Sequence, residues 1–252
     1  MQPALSVIIP AYNEEQRLSS SLSSIYKYAM GRMLPTEILV VDDASTDRTI
    51  EIVEQSKPSK GSAVRVQVLR NTKNLGKGAS VRRGMLKCKG KLALMTDADM
   101  STPIEELEKL ERVMSETNCD IAIGSRAIAG SRVEVHQSRI REKSGELFNV
   151  VVRGISSLSF KDTQCGFKLF SMQKCRPVFA AQLLAGYSFD VEILYIADEL
   201  GLEIREVPVI WRHAAGSKVR FFRDGSKMLT DLLKVRWHSY RGRYTDLEGQ
   251  QQ

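Results

Sequence analysis

No stretch of the chain approaches the roughly 18–20 consecutive apolar residues that a transmembrane helix needs. The longest apolar runs, around Leu5–Ile9 and Glu37–Val41, are strand-sized. The start, MQPALSVIIPAYNEE, lacks the basic opening, apolar stretch and small-residue cleavage site of a secretory leader. Cysteine is scarce: Cys88, Cys119, Cys165 and Cys175 form no CxxC and have no paired histidines. They are expected as free thiols of a reducing compartment, not as a disulfide framework or a zinc site. His136, His213 and His238 are scattered and fit no triad, and neither G-x-S-x-G nor H-E-x-x-H occurs. No repeat, low-complexity tract or Pro/Gly/Ser-rich linker breaks the chain. One domain over residues 1–212 with a C-terminal appendage over 213–252 is expected.

What remains is the composition of a folded protein, 42% hydrophobic and 27% charged in 252 residues, long enough to bury a sizeable core. The net charge of +7 is unevenly placed. Residues 213–243 hold 8 basic and 2 acidic side chains, leaving 29 basic against 28 acidic elsewhere. A nearly neutral body therefore carries a basic tail.

The first half alternates strand and helix signals. Strands are expected at Leu5–Pro10, Glu37–Val41, Val64–Leu69, Lys91–Thr96 and Asp120–Gly124. Helices are expected at Gln16–Met30, Asp47–Gln55, Gly78–Cys88 and Pro103–Glu116. This alternation predicts an α/β fold with a mostly parallel sheet covered by helices on both faces. The second half is less regular, with helices expected at Arg139–Leu158 and Asp190–Leu200 and a strand pair or bent strand at Ile204–Trp211.

In such sheets ligands bind beyond the carboxyl ends of the strands. Four polar clusters follow four strands there: Pro10 to Glu15, Asp42 to Asp47, Asn74 to Gly78, and Asp97-Ala98-Asp99. Asp97 and Asp99, at i and i+2, can point the same way and offer hard oxygen ligands to Mg²⁺ or Mn²⁺ on a diphosphate. Alone, such a pair is more often an Asp-rich turn capping the helix near Pro103; the other clusters at the same edge favour the metal. Asp42 can accept bonds from a ribose or base edge, whereas Asp47 reads as a helix-start carboxylate. Lys77 fits neither a Walker loop nor a dinucleotide fingerprint, because Asn71 and Val81 stand where glycines are needed. It is either an anion contact at a helix start or a solvated lysine. Arg126 is either a phosphate contact or an ion-paired surface residue. The helix Asp224–Tyr240 places Lys227, Lys234 and Arg241 on one face and Leu229, Leu232, Leu233, Trp237 and Tyr240 opposite. It either seeks a membrane surface or packs its apolar stripe on the body. No nucleic-acid-binding motif accompanies the charge.

These motifs, in this order, resemble those of the family 2 glycosyltransferases of GT-A fold, over most of the chain. In the second half Gly124-Ser125-Arg126, Asp162-Thr163-Gln164-Cys165-Gly166-Phe167, Glu206-Val207-Pro208-Val209 and Gly216-Ser217-Lys218 resemble the polyprenyl-phosphate branch. The Asp162–Phe167 run and Trp211 are most similar to dolichyl-phosphate β-glucosyltransferases, with dolichyl-phosphate mannosyltransferases as near relatives. The resemblance implies inverting transfer of glucose from UDP-glucose to a polyprenyl or dolichyl phosphate, the alternative being a GDP-mannose-dependent mannosyltransferase. It implies that Pro10, Tyr12, Glu14, Asp42, Lys77 and Ala98 hold the donor. Asp97 and Asp99 would hold Mg²⁺ or Mn²⁺ and the diphosphate, Asp99 being catalytic. Arg126, Arg139 and Lys218 would meet donor or acceptor phosphate. Asp162 would sit at the acceptor side, as a base or a positioning residue. A peripheral location on the cytoplasmic face of a membrane is expected, reached by the basic helix, by residues 139–158 or through a membrane-protein partner.

Two departures narrow the reading. Ser101 stands where mannosyl-type relatives often carry Gln, and Leu233 breaks the Q-x-x-R-W of processive synthases. A sugar-phosphate nucleotidyltransferase would need a Gly-rich loop after the first strand, and Ala11–Arg17 contains no glycine. A non-catalytic nucleotide-sugar-binding module would not need the Asp97/Asp99 pair.

Overall fold

The computed structural model describes residues 2–59, 61–135, 154, 158–212 and 221–244. Nine strands are described: β1 (Leu5–Ala11), β2 (Thr36–Asp42), β3 (Val64–Arg70), β4 (Leu92–Met95), β5 (Ile121–Ser125), β6 (Arg132–Val135), β7 (Lys168–Ser171), β8 (Ile204–Pro208) and β9 (Ile210–Arg212). The described α-helices are α1 (Leu18–Gly31), α2 (Thr49–Gln55), α3 (Lys77–Lys87), α4 (Leu107–Thr117), α5 (Met172–Ala181), α6 (Phe189–Glu199) and α7 (Phe221–Tyr240).

The main sheet has the order β3-β2-β1-β4-β7-β5-β8. Every neighbouring pair in it is parallel except those of β7, which runs antiparallel to β4 and β5. The run Leu5 to Ile9 is buried on both faces because period 2 sends alternate side chains to opposite layers. Val7, Ile9, Ile38 and Val40 join one core with Leu18, Leu22, Leu107 and Leu110 of α1 and α4. Ile8, Leu39, Val41 and Met95 join the other with Val81, Met85, Phe179 and Ile193 of α3, α5 and α6. Helix α4 stops where Asn118 takes a left-handed conformation (φ 54°), which frees the chain to turn into β5.

Three features depart from the sequence reading. Helix α5 was not expected; it forms with Pro177 inside it, burying Met172, Cys175, Val178 and Phe179 along one side. Phe179 stacks edge-on to Phe170 of β7 at 5.1 Å. The strand pair expected at 204–211 is present, but its two strands divide between two sheets, β8 in the main sheet and β9 paired with the unanticipated β6. The C-terminal helix does not hold its apolar residues on one side: Leu232 enters the main core with Val235 and Tyr244, while Leu229, Leu233, Trp237 and Tyr240 face out. The end of this helix is anchored there, because the buried Tyr244 hydroxyl donates to Glu192 of α6 at 2.9 Å. The helix expected at 139–158 lies almost wholly outside the described residues, as do Arg139 and Lys218.

Candidate active site

Strands β1, β2, β4 and β5 end at one edge of the sheet. Because β7 is antiparallel, its leading residue Lys168 lies opposite Met95 and Ile123 at this same edge. The loop 162–167 that feeds β7 is thereby delivered to the loops that leave β4 and β5.

The Asp97 carboxylate meets Lys77, Oδ1 to Nζ at 2.6 Å. Burial disfavours the charge on Lys77, but Asp97 and Asp190 outweigh it and hold its pKa above the usual lysine value. Lys77 reaches across because Gly76, at φ +102°, turns the chain where a Cβ would lie 2.4 Å from the Ala185 carbonyl oxygen. Asp43 holds this turn by accepting from the Leu75 and Gly76 amides, each at 2.8 Å. Gly166 lies against the other side of Asp97: a Cβ there would come within 2.2 Å of Oδ2. Asp99 accepts from the Ser101 amide at 3.0 Å and faces Arg17 at 3.8 Å. Ala98, between the two carboxylates, is buried, and its carbonyl accepts from Ser21 of α1 at 2.7 Å.

Asp162 is buried and is taken up by Arg126, which donates to it from Nε at 2.7 Å, Nη2 at 2.8 Å and its backbone amide at 2.9 Å. Burial alone would raise the Asp162 pKa; the Arg126 guanidinium outweighs it and holds the carboxyl below its ordinary value. Arg126 also lies over the Trp211 ring at 5.4 Å. Beneath this pair Lys168, fully buried, bonds to Asp190 and donates to the Cys165 carbonyl at 2.6 Å. Burial, then Asp162, push the Cys165 thiol up to about 11, which removes it as a nucleophile. Four carboxylate–cation pairs are thus gathered around these loops: Asp99–Arg17, Asp97–Lys77 and Asp162–Arg126, with Asp190–Lys168 buried among them.

The remaining expected donor contacts lie at the β1 and β2 end. Pro10 is half-buried near the end of β1, Tyr12 is exposed beyond it, and Glu14 is bonded to Arg17 at 2.6 Å. Asp42 is turned inward and fully buried, accepting from the Ser45 amide at 3.2 Å. Arg70, its solvent-facing register partner on β3, stands 3.5 Å from it. Asp47 bridges the loops by accepting from the Thr49 and Glu15 amides. Sequence reasoning missed Arg17, Asp190 and Lys168. Lys168 did leave a signal, a lysine within the apolar run Phe167–Phe170; Asp190 left none beyond a helix start.

The donor set suits a hard divalent cation. Among the described residues no cluster of three or more His, Cys, Asp or Glu could hold a metal by itself. Two carboxylates completed by substrate phosphate and water is how Mg²⁺ is commonly held.

Residues 6–177 match the family described as Glycosyl transferase family 2. The chain is 35% identical over 247 residues to the dolichyl-phosphate beta-glucosyltransferase of Dictyostelium discoideum, covering 94% of this chain and 75% of that protein. It is 34% identical over 242 residues to the Homo sapiens protein of that name, covering 92% and 74%. Its fold is shared with Rubrobacter xylanophilus mannosyl-3-phosphoglycerate synthase, at TM-score 0.67 and 18% identity over 96% of this chain and 75% of that one. It is also shared with Mycobacterium tuberculosis glucosyl-3-phosphoglycerate synthase, solved with Mn²⁺ and UDP-glucose, at TM-score 0.63 and 18% identity over 92% and 77%. The family match runs from β1 into α5 and these relatives align over more than nine-tenths of the chain, so this chain belongs to glycosyltransferase family 2.

Proposed function

We propose that this glycosyltransferase moves glucose from UDP-glucose to a polyprenyl or dolichyl phosphate with inversion, using Mg²⁺ or Mn²⁺, as a peripheral protein on the cytoplasmic face of a membrane. The observation that carries the reading is that Asp97 and Asp99, Lys77 and Arg126 come to one sheet edge, a set suited to a metal-bound diphosphate beside a second phosphate. The relatives named dolichyl-phosphate beta-glucosyltransferase support the sugar and the acceptor.

An acceptor phosphate oxygen attacks the anomeric carbon, the bond from that carbon to the diphosphate breaks, and UDP leaves. The attacking oxygen is already anionic, so alignment and charge stabilisation carry the barrier and no strong base is required. Asp97 and Asp99 would hold the cation, which when bound supplies Lewis-acid neutralisation of the departing diphosphate. Lys77 adds a charge that Asp97 and Asp190 keep protonated. Arg126 presents to phosphate the guanidinium face that Asp162 and Trp211 leave available. Asp162, held anionic by Arg126, acts as the positioning residue for that arginine. Pro10, Tyr12, Glu14 and the Asp42–Arg70 pair flank the nucleoside, and Arg139 and Lys218 are further phosphate contacts.

The test is a panel: purified protein with Mg²⁺ or Mn²⁺ and polyprenyl phosphate, offered UDP-glucose, GDP-mannose or UDP-N-acetylglucosamine. Glucosyl-lipid from UDP-glucose is expected. Transfer only from GDP-mannose overturns the sugar assignment, and transfer from none overturns the reaction.

A further inference from the structure

We infer that the outward face of α7 docks on an anionic lipid bilayer. This deepens the reading of a lipid-phosphate acceptor and rests on it for the choice of lipid. Leu229 is 40% exposed, Leu233 61%, Trp237 48% and Tyr240 90%. Spacings of four, four and three place them on one helical face, a stripe of about 17 Å at 1.5 Å per residue. The stripe is not left over from packing: α7 meets its core demand through Leu232 and Val235.

Cations surround the stripe. Arg241 and Arg243 lie over the Trp237 ring at 5.0 and 5.5 Å. Lys234 and Arg236 are exposed beside it. Asp231, the one carboxylate among residues 228–244, is buried and occupied by Lys234 at 2.8 Å and Ser188 at 3.2 Å. The face therefore offers leucines, interfacial aromatics and a net positive charge carried by Arg236, Arg241 and Arg243, the combination that inserts at the headgroup level of an anionic membrane. A second copy would set arginines against arginines, and a nucleic acid has no use for the leucines. The helix also sits correctly for this task. Its Asp231 bonds Ser188, which leads into α6 and the site residue Asp190.

The full chain would be sedimented with phosphatidylcholine vesicles with and without phosphatidylserine. Two variants accompany it: Leu233→Gln/Trp237→Gln/Tyr240→Gln, and Arg241→Gln/Arg243→Gln. All five positions are exposed, so melting temperatures should match the parent. The parent should bind the phosphatidylserine vesicles and release with salt. The apolar triple variant should lose binding. The arginine variant should bind roughly 25-fold more weakly, at about fivefold for each of its two surface charges. Turnover on a short-chain prenyl phosphate in solution should be unchanged in both, while turnover on vesicle-held acceptor falls with binding. Equal binding by parent and triple variant, no binding by the parent, indifference to phosphatidylserine, or a parent dimer that the triple variant disperses would each overturn the inference. Vesicle binding without turnover on any acceptor would overturn the proposed reaction and leave the docking face standing.

Discussion

Replacing Gly166 by alanine probes the Asp97 position with one methyl group. The new Cβ would stand 2.2 Å from Asp97 Oδ2 and 2.7 Å from its Cγ, where ordinary contact begins near 3.4 Å. Either the carboxylate or the loop must retreat by roughly 1 Å. The loop is poorly placed to yield, since Cys165 and Phe167 on either side are buried. The carboxylate therefore moves, against the Lys77 contact at 2.6 Å. Misplacing a reacting group by about 1 Å costs on the order of 10²-fold in rate. Overpacking costs about 1–3 kcal/mol of stability, or a few degrees of melting temperature in a chain of this size. Steady-state kcat/KM for the donor across a Mn²⁺ titration, with a thermal melt alongside, reads both. The expected result is a folded protein about 10²-fold slower, with a weakened metal response. Activity within twofold of the parent and an unchanged metal titration would refute the argument. Gly76→Ala is the contrast: its Cβ would strike backbone at φ +102°, so that variant should fail to fold stably rather than fold and be slow.

Asp162→Asn should cost about 3–5 kcal/mol at neutral pH, because it leaves the Arg126 guanidinium without its countercharge. Since Arg126 lowers the folded pKa of Asp162, its contribution is complete above the unfolded value of about 3.9 and is lost as pH falls through the lower folded value. Urea unfolding of parent and variant should accordingly converge in acid; a gap independent of pH would contradict this. Asp99→Ala should abolish turnover with little change in melting, since among the described residues its carboxylate holds the Ser101 amide and the long Arg17 contact. Full activity of that variant, or of parent protein stripped by a chelator, would remove Asp99 from the metal site. Tyr244→Phe should lower stability by about 1–3 kcal/mol, because buried Glu192 loses a donor; an unchanged melt would show the bond to be dispensable.

The strands of the first half and the order of the polar loops that follow them, including the one with Asp97 and Asp99, were legible in the sequence because each is a local pattern. An apolar run of strand length marks β1 and β2, and a polar cluster after each strand marks the edge where those loops gather. The Glu14–Arg17 contact falls within one turn and could have been read the same way. What the local pattern could not contain is pairing across long separations. Arg126 meets Asp162 only because β7 enters between β4 and β5 in the reverse direction, which brings its leading loop to their carboxyl ends. Lys168 with Asp190 and Lys77 with Asp97 likewise depend on which strands and helices become neighbours. The C-terminal helix makes the same distinction. Sequence period alone determined that it is amphipathic and basic. Only its contact with α6 decided that Leu232 and Val235 turn inward while Leu229, Leu233, Trp237 and Tyr240 remain outside. Periodicity names the apolar residues of a helix, but burial depends on the surface the helix lies against, and that surface is built from distant parts of the chain.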